Sequence, residues 1–202
     1  MAPVVIRTAV PDDRDALYEI CRLTGHAGED ASDRHDDPDL LGELWVGPYL
    51  ALEPELAFVA ADEQGPAGYV LGAADTAAFE AGCEQVWWPP RRERYPEPPT
   101  SGDLSPDQEL HRWIHHPPRT PQQVLAEYPA HLHIDLHPRA QGQGLGRRMM
   151  DALFDALGAR HVAGVHLGVA AANHRAIGFY THLGFEPIGP DSSGGLLYGR
   201  RL

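Results

Sequence analysis

Residues 131–160 read HLHIDLHPRAQGQGLGRRMMDALFDALGAR: an alternating segment, a loop with three glycines at alternate positions, and an amphipathic run. Alternation predicts a strand with His131, His133, Asp135 and His137 on one face and Leu132, Ile134 and Leu136 on the other. The run from Gly144 to Arg160 predicts a helix. At a helix start several N–H groups lack acceptors and the dipole is positive, so Gly142, Gly144 and Gly146 there predict an anion cradle suited to phosphate. The spacing is not the GxGxxG of a dinucleotide fold, and no acidic ribose anchor follows at the expected distance. The glycines alone also fit a loop that simply needs positive φ.

Working outward, the chain alternates strand and helix twice. Strand GVHLGVA, helix NHRAIGFYTHLG and strands FEPIG and GLLYGRRL follow the helix. Upstream, VVIRTA at 4–9 predicts a strand, and PDDRDALYEICRLTG a helix capped by Asp12 or Asp13 and ended by Gly25, with Leu17, Ile20 and Cys21 on one face. HAGEDASDRHDDPD reads as a solvated acidic loop, Pro38-Asp39 opens one apolar helix through LLGELWVGPYLAL, and AFVAAD with PAGYVLGAAD flank the turn of a hairpin. Between about Thr76 and Pro129 prolines recur too often for a continuous strand or helix, which predicts an insertion with short helices in TAAFEAGCEQVW, SPDQELHRWIHH (capped by Ser105) and PQQVLAEY. Its Trp87, Trp88, Tyr95 and Trp113 either stand over a substrate cleft or pin the segment to the core.

Composition sets limits on partners. At 202 residues and 43% hydrophobic, one domain over 1–202 is expected, with a mixed sheet carrying helices on both faces. MAPVVIRTAV has no apolar leader core, and no window reaches the length of a membrane helix, so a cytoplasmic protein without a membrane partner is expected. Sixteen basic against 29 acidic residues leave a formal charge of -13, which argues against nucleic acid and favours a cationic substrate. There is no lysine, which excludes a Walker phosphate loop and a pyridoxal-phosphate Schiff base. Cys21 and Cys83 read as reduced thiols with no catalytic part. His111 and His115, four apart and close to His116, lack a third ligand at helical or strand spacing, so they read as solvated histidines and no metal is expected.

Two motifs coincide: Gln141-x-x-Gly144-x-Gly146, and Asn173-x-x-Ala176-x-x-Phe179-Tyr180-x-x-Leu183-Gly184-Phe185. Together, over Leu132 to Ile188, they resemble the GNAT superfamily of N-acetyltransferases, whose fold has a mixed, mostly antiparallel sheet. A longer similarity, through VIRTAVPDDRDALYEICR, PDLLGELWVGPYLAL, GYVLGAADTAAFEAGCEQVWWPP and AIGFYTHLGFE, is to the acetyltransferase-like C-terminal domain of animal O-GlcNAcase. That domain's cofactor loop is degenerate; the glycines here imply a stand-alone bacterial relative that binds acetyl-CoA.

The resemblance implies that Leu136 and His137 present backbone groups to the pantetheine arm, and that Gln141, Gly142, Gln143, Gly144, Leu145, Gly146 and Arg147 cradle the pyrophosphate. It gives Asn173 a bond to the pantetheine arm or an ordering role in the turn, Ala176 and Phe179 the cofactor wall, and Tyr180 the sulfur, which it protonates as thiolate leaves. Many relatives place a general base where this chain has Ala130 or Leu132, and neither can take a proton. Asp135 is therefore the expected base or amine-orienting residue, with His133 second, against a reading of Asp135 as a structural carboxylate. The implied activity is acetyl transfer to an amine on a small molecule or peptide; the alternative is an acetyl-CoA-binding pseudoenzyme.

Overall fold

A computed structural model describes residues 4–191 and 194–202; Met1–Pro3, the start of the stretch read above for a leader, lie outside them. One sheet runs in the order β1-β2-β3-β4-β5-β7-β6. Its strands are β1 (Val5–Thr8), β2 (Ala57–Asp62), β3 (Gly65–Ala73), β4 (Ala130–Leu136), β5 (Gly164–Val169), β6 (Glu186–Pro190) and β7 (Leu196–Arg201). Every pairing is antiparallel except β4 with β5. Parallel neighbours need a long crossover, which here contains the helix spanning Leu145–Ala159.

Alternation along the strands splits the core in two. Val70 on β3 and Leu132 on β4 join Met149, Leu153 and Leu157, which recur every four residues on the Leu145–Ala159 helix and form its buried stripe. Tyr69 and Leu71 point the other way, onto Leu17, Ile20 and Cys21 of α1 (Arg14–Thr24). Among the described residues no helix is long and apolar enough to cross a membrane.

Local chemistry corrects several expectations. Asp13 does not cap α1: it reaches back to the Val10 N–H at 2.8 Å and is clamped by the Arg7 guanidinium at 2.6 and 2.8 Å. Those bonds hold its carboxyl below the usual range. The apolar helix after Pro38 is two helices, α2 (Leu40–Trp45) and α3 (Gly47–Leu52), broken at Val46, because Pro48 has no N–H to continue the ladder. Conversely, Pro89 and Pro90 interrupt nothing. α4 (Thr76–Gly82) passes through a π-helical turn at Cys83–Trp87 into α5 (Trp88–Arg94), with the Trp88 N–H bonding back to the Cys83 carbonyl and the prolines following in the first turn of α5.

The proline-rich segment is fastened on all sides. Trp88 and Tyr95 are buried with Leu40, Leu44 and Ile114, and the Trp87 Nε1–H donates to the Glu43 carbonyl at 2.9 Å. Of the histidines read as solvated, His115 is an anchor, its Nε2 donating to the Tyr95 carbonyl at 2.8 Å, whereas His116 is exposed as expected and pairs with an exposed Glu97 at 2.6 Å. The acidic loop is tied down too, through Asp37 to Arg94 and Tyr95, and through His35 to Asp107. α6 (Pro106–His115) starts in a capping box, with Ser105 Oγ accepting from the Gln108 N–H at 3.2 Å and the Gln108 side chain accepting from the Ser105 N–H. Ser105→Ala is expected to cost about 1 kcal/mol of stability, read as a lower urea midpoint at unchanged slope. A short helix, α7 (Gln122–Glu127), leads into β4.

Candidate active site

β4 and β5 have register partners only at Ala130–Val165 and His131–His166, and beyond them the strands part. The His137 N–H donates to the Ala67 carbonyl at 2.9 Å. By the alternation of an antiparallel pair, His133 and Asp135 then bond β3, while the main-chain groups of Leu132, Ile134 and Leu136 face the opening. Gln141 Nε2 donates to the Leu136 carbonyl at 2.9 Å, which ties the loop to this free edge. His137 does not share that edge as expected: the same alternation turns its N–H onto β3, and its carbonyl accepts from Ala140.

The glycine loop meets α8 (Leu145–Ala159) with its amides uncovered. The first bond of the helix runs from the Arg148 N–H to the Gly144 carbonyl at 3.3 Å, so the N–H groups of Leu145, Gly146 and Arg147 precede the ladder. Gly144 has φ +72°, and a Cβ there would meet nothing within 4 Å, so this side of the loop is open. Gly146 serves packing: its Cβ would lie 3.1 Å from the Phe179 ring. Gln143 donates to the Arg139 carbonyl, Arg139 turns away to Asp62, and Arg147 pairs with Asp151 one turn along its own helix.

α9 (His174–His182) is capped by Asn173, whose Oδ1 accepts from the Ala176 N–H at 3.0 Å. Ala176 and Phe179 pack against the core. Tyr180 is 8% exposed, its ring set against Phe179 and Phe185, and its hydroxyl makes no hydrogen bond among the described residues. Burial, and then the charge of Asp135, push that hydroxyl well above the ordinary tyrosine value. It therefore carries its proton at neutral pH.

Asp135 sits in a small network. Tyr69 Oη donates to its Oδ2 at 2.6 Å, and His133 Nε2 lies 3.1 Å from the same oxygen. Cys21 completes a group whose ligand atoms all lie within 4.8 Å of one another. Burial pushes the Cys21 thiol up, and Asp135 is engaged by Tyr69, so the arrangement is that of a hydrogen-bonded cluster around one carboxylate.

At the fork of β4 and β5 opens a cavity of about 640 Å³. His131, Leu132 and His133 line it from β4, and His166 through Ala172 from β5 and the turn after it; Trp45, Tyr49, Phe79, Trp88 and Trp113 face them. Trp88 and Trp113 thus do both things the sequence allowed, pinning the segment and walling a cleft. Asp135 and Tyr180 do not line this cavity.

A sequence model of the Acetyltransferase (GNAT) family matches residues 16–185. The chain belongs to the GNAT family. Protein O-GlcNAcase of Rattus norvegicus is 31% identical over 180 residues, covering 89% of this chain and 20% of that protein, so the chain spans about a fifth of the length of this relative. The [Ribosomal protein bS18]-alanine N-acetyltransferase of Escherichia coli K12 is 41% identical over 64 residues, 32% of this chain and 43% of that one. The crystal structure of SsHAT superposes with a TM-score of 0.89 at 42% identity, covering 99% of this chain and 98% of the other. A GNAT superfamily phosphinothricin acetyltransferase of Sinorhizobium meliloti in complex with AcCoA has the same fold, with a TM-score of 0.59 at 17% identity over 98% and 88% of the two chains.

Members of the GNAT family use acetyl-CoA, and the parted strands and open loop are where this GNAT chain offers unpaired backbone groups. Sequence reasoning missed His166 and the rings of Trp45, Tyr49 and Phe79. His166 left a trace, a lone imidazole inside the apolar strand GVHLGV. Tyr49 and Phe79 left none, because they meet the cavity only through packing between distant elements.

Proposed function

We propose that this protein is an acetyl-CoA-dependent N-acetyltransferase in which a neutral amine attacks the thioester directly. The observation that carries the reading is the free edge of β4, which leads from the open glycine loop to the mouth of an aromatic cavity. Bound acetyl-CoA would supply an acyl group activated by a sulfur leaving group. The loop amides from Gly142 to Arg147 suit its phosphates, and the Leu136 edge suits an amide-bearing arm. The N–H groups facing the opening near Leu136 are placed to stabilise an oxyanion. Tyr180 holds a proton at Oη for the departing sulfur.

His133, which lines the cavity, takes the proton from the amine, and Asp135 behind it orients the ring. A carboxylate beside Nε2 favours the proton on that nitrogen and leaves the lone pair on Nδ1. This reverses the order expected from sequence, which put Asp135 first and His133 second, because Asp135 is satisfied by Tyr69 and does not reach the cavity. The whole chain acts as one catalytic unit in the cytoplasm, with the proline-rich segment supplying two tryptophans to the acceptor wall.

The test is CoA thiol release from acetyl-CoA in the presence of amines, polyamines, aminoglycosides and peptides, with acetylated products identified by mass spectrometry. Amine-dependent release is expected, and His133→Gln should lower kcat about 10²-fold or more. Binding of acetyl-CoA by calorimetry without transfer to any amine would make the protein a binding module instead.

A further inference from the structure

The polar floor of the cavity is set by two histidines whose protons are assigned by their partners. The Thr76 hydroxyl donates to the Pro129 carbonyl at 2.7 Å, so towards His131 Nδ1, at 2.8 Å, its oxygen can only accept. The Tyr128 carbonyl likewise accepts from His166 Nδ1 at 2.8 Å. Each neutral ring therefore keeps its lone pair on Nε2. Burial, with His166 and His133 nearby, pushes His131 down to about 3, and burial also lowers His166. The rings offer acceptors and no charge.

The walls are aromatic and their charges are already engaged. Trp45 and Trp113 stand with ring centroids 5.9 Å apart, and Tyr49 and Phe79 4.7 Å apart. Arg119 is the one cationic side chain of lysine or arginine type lining the cavity among the described residues, and it pairs with Glu80 at 3.4 Å and Glu84 at 3.5 Å. Glu80 also accepts from the Thr120 N–H, and Asp191 from the Gly195 N–H. A carboxylate on the acceptor would be desolvated here without a free partner, which is costly, whereas an ammonium group is drawn by ring faces and by the chain's charge of -13. A volume of about 640 Å³ is that of a small-molecule site.

We infer that the acceptor is a small primary amine carried on a flat aromatic body and lacking a carboxylate, of the arylalkylamine class. This rests on the acetyltransferase reading above and narrows it. The rings hold the flat body, and the Nε2 atoms of His131 and His166 accept from the amine N–H groups.

The experiment measures kcat/KM at saturating acetyl-CoA for 2-phenylethylamine and tryptamine, against n-butylamine, spermidine, a lysine-containing peptide, phenylalanine and tryptophan. The two arylalkylamines should exceed every other compound by about tenfold or more, a margin matching the loss of one aromatic contact or one unpaired charge. Trp113→Ala should raise KM for tryptamine about tenfold without changing the acetyl-CoA Kd, and Trp113→Phe should restore most of it. If spermidine or the peptide is preferred, or tryptophan reacts as well as tryptamine, the inference fails while acetyl transfer stands. If no amine reacts, calorimetry with the CoA-loaded protein decides. Tryptamine binding without tryptophan binding would sustain the cavity's chemistry and sink the transferase reading; no tryptamine binding would overturn the inference too.

Discussion

Tyr180→Phe is expected to lower kcat by roughly 10²–10⁴-fold while the acetyl-CoA affinity changes less than about threefold. The ring lies against Phe179 and Phe185 and stays in place after the substitution. Its hydroxyl has no hydrogen-bond partner among the described residues, so deleting it strands no buried group and should leave thermal stability unchanged. What is lost is a proton held at Oη by burial and by the neighbouring Asp135 charge. In the proposed mechanism that proton is needed only as the thioester breaks, so the loss should fall on the chemical step and not on binding. Single-turnover kinetics beside calorimetry separates the two. Parallel losses in both would assign Tyr180 to binding; near wild-type turnover would mean that water or the acceptor delivers the proton.

The parts of this molecule legible in the sequence are those set by local periodicity. Alternation along 131–137 and the four-residue stripe of Met149, Leu153 and Leu157 fix a strand and a helix, and the glycines between them mark where the chain must turn. The parts that were not legible depend on partners far away in the chain. Asp13 looks like a cap until Arg7 of the neighbouring strand claims it. The amide of His137, like those of His133 and Asp135, belongs to β3 and not to the opening, which only the pairing of the strands decides. The placement of Asp135 and His133 has the same origin, since only the fold brings Tyr69 to the carboxylate and leaves the imidazole at the cavity. The second wall, from Tyr49, Phe79 and Trp113, has no local pattern because each residue arrives on a different helix.

Gly144→Asp should weaken acetyl-CoA binding by more than about 10²-fold, and the route to that loss can be separated from damage to the fold. Gly144 has φ +72°, so any side chain there carries a backbone cost of roughly 1–2 kcal/mol, least for aspartate and asparagine. The space beyond it is open, so no clash adds to that cost. The aspartate carboxylate would sit at the positive end of α8, beside the N–H groups of Leu145, Gly146 and Arg147, and would take for itself the bonds offered to phosphate. It would also repel what it displaces: like charges about 4 Å apart cost about 4 kcal/mol at the effective dielectric of a protein surface. Gly144→Asn imposes the same backbone conformation and nearly the same shape without the charge, so its affinity should fall less than about tenfold. Calorimetry on the pair isolates the electrostatic part. Equal affinities for the two variants would mean that the phosphates lie elsewhere, and the open loop would lose its place in cofactor binding.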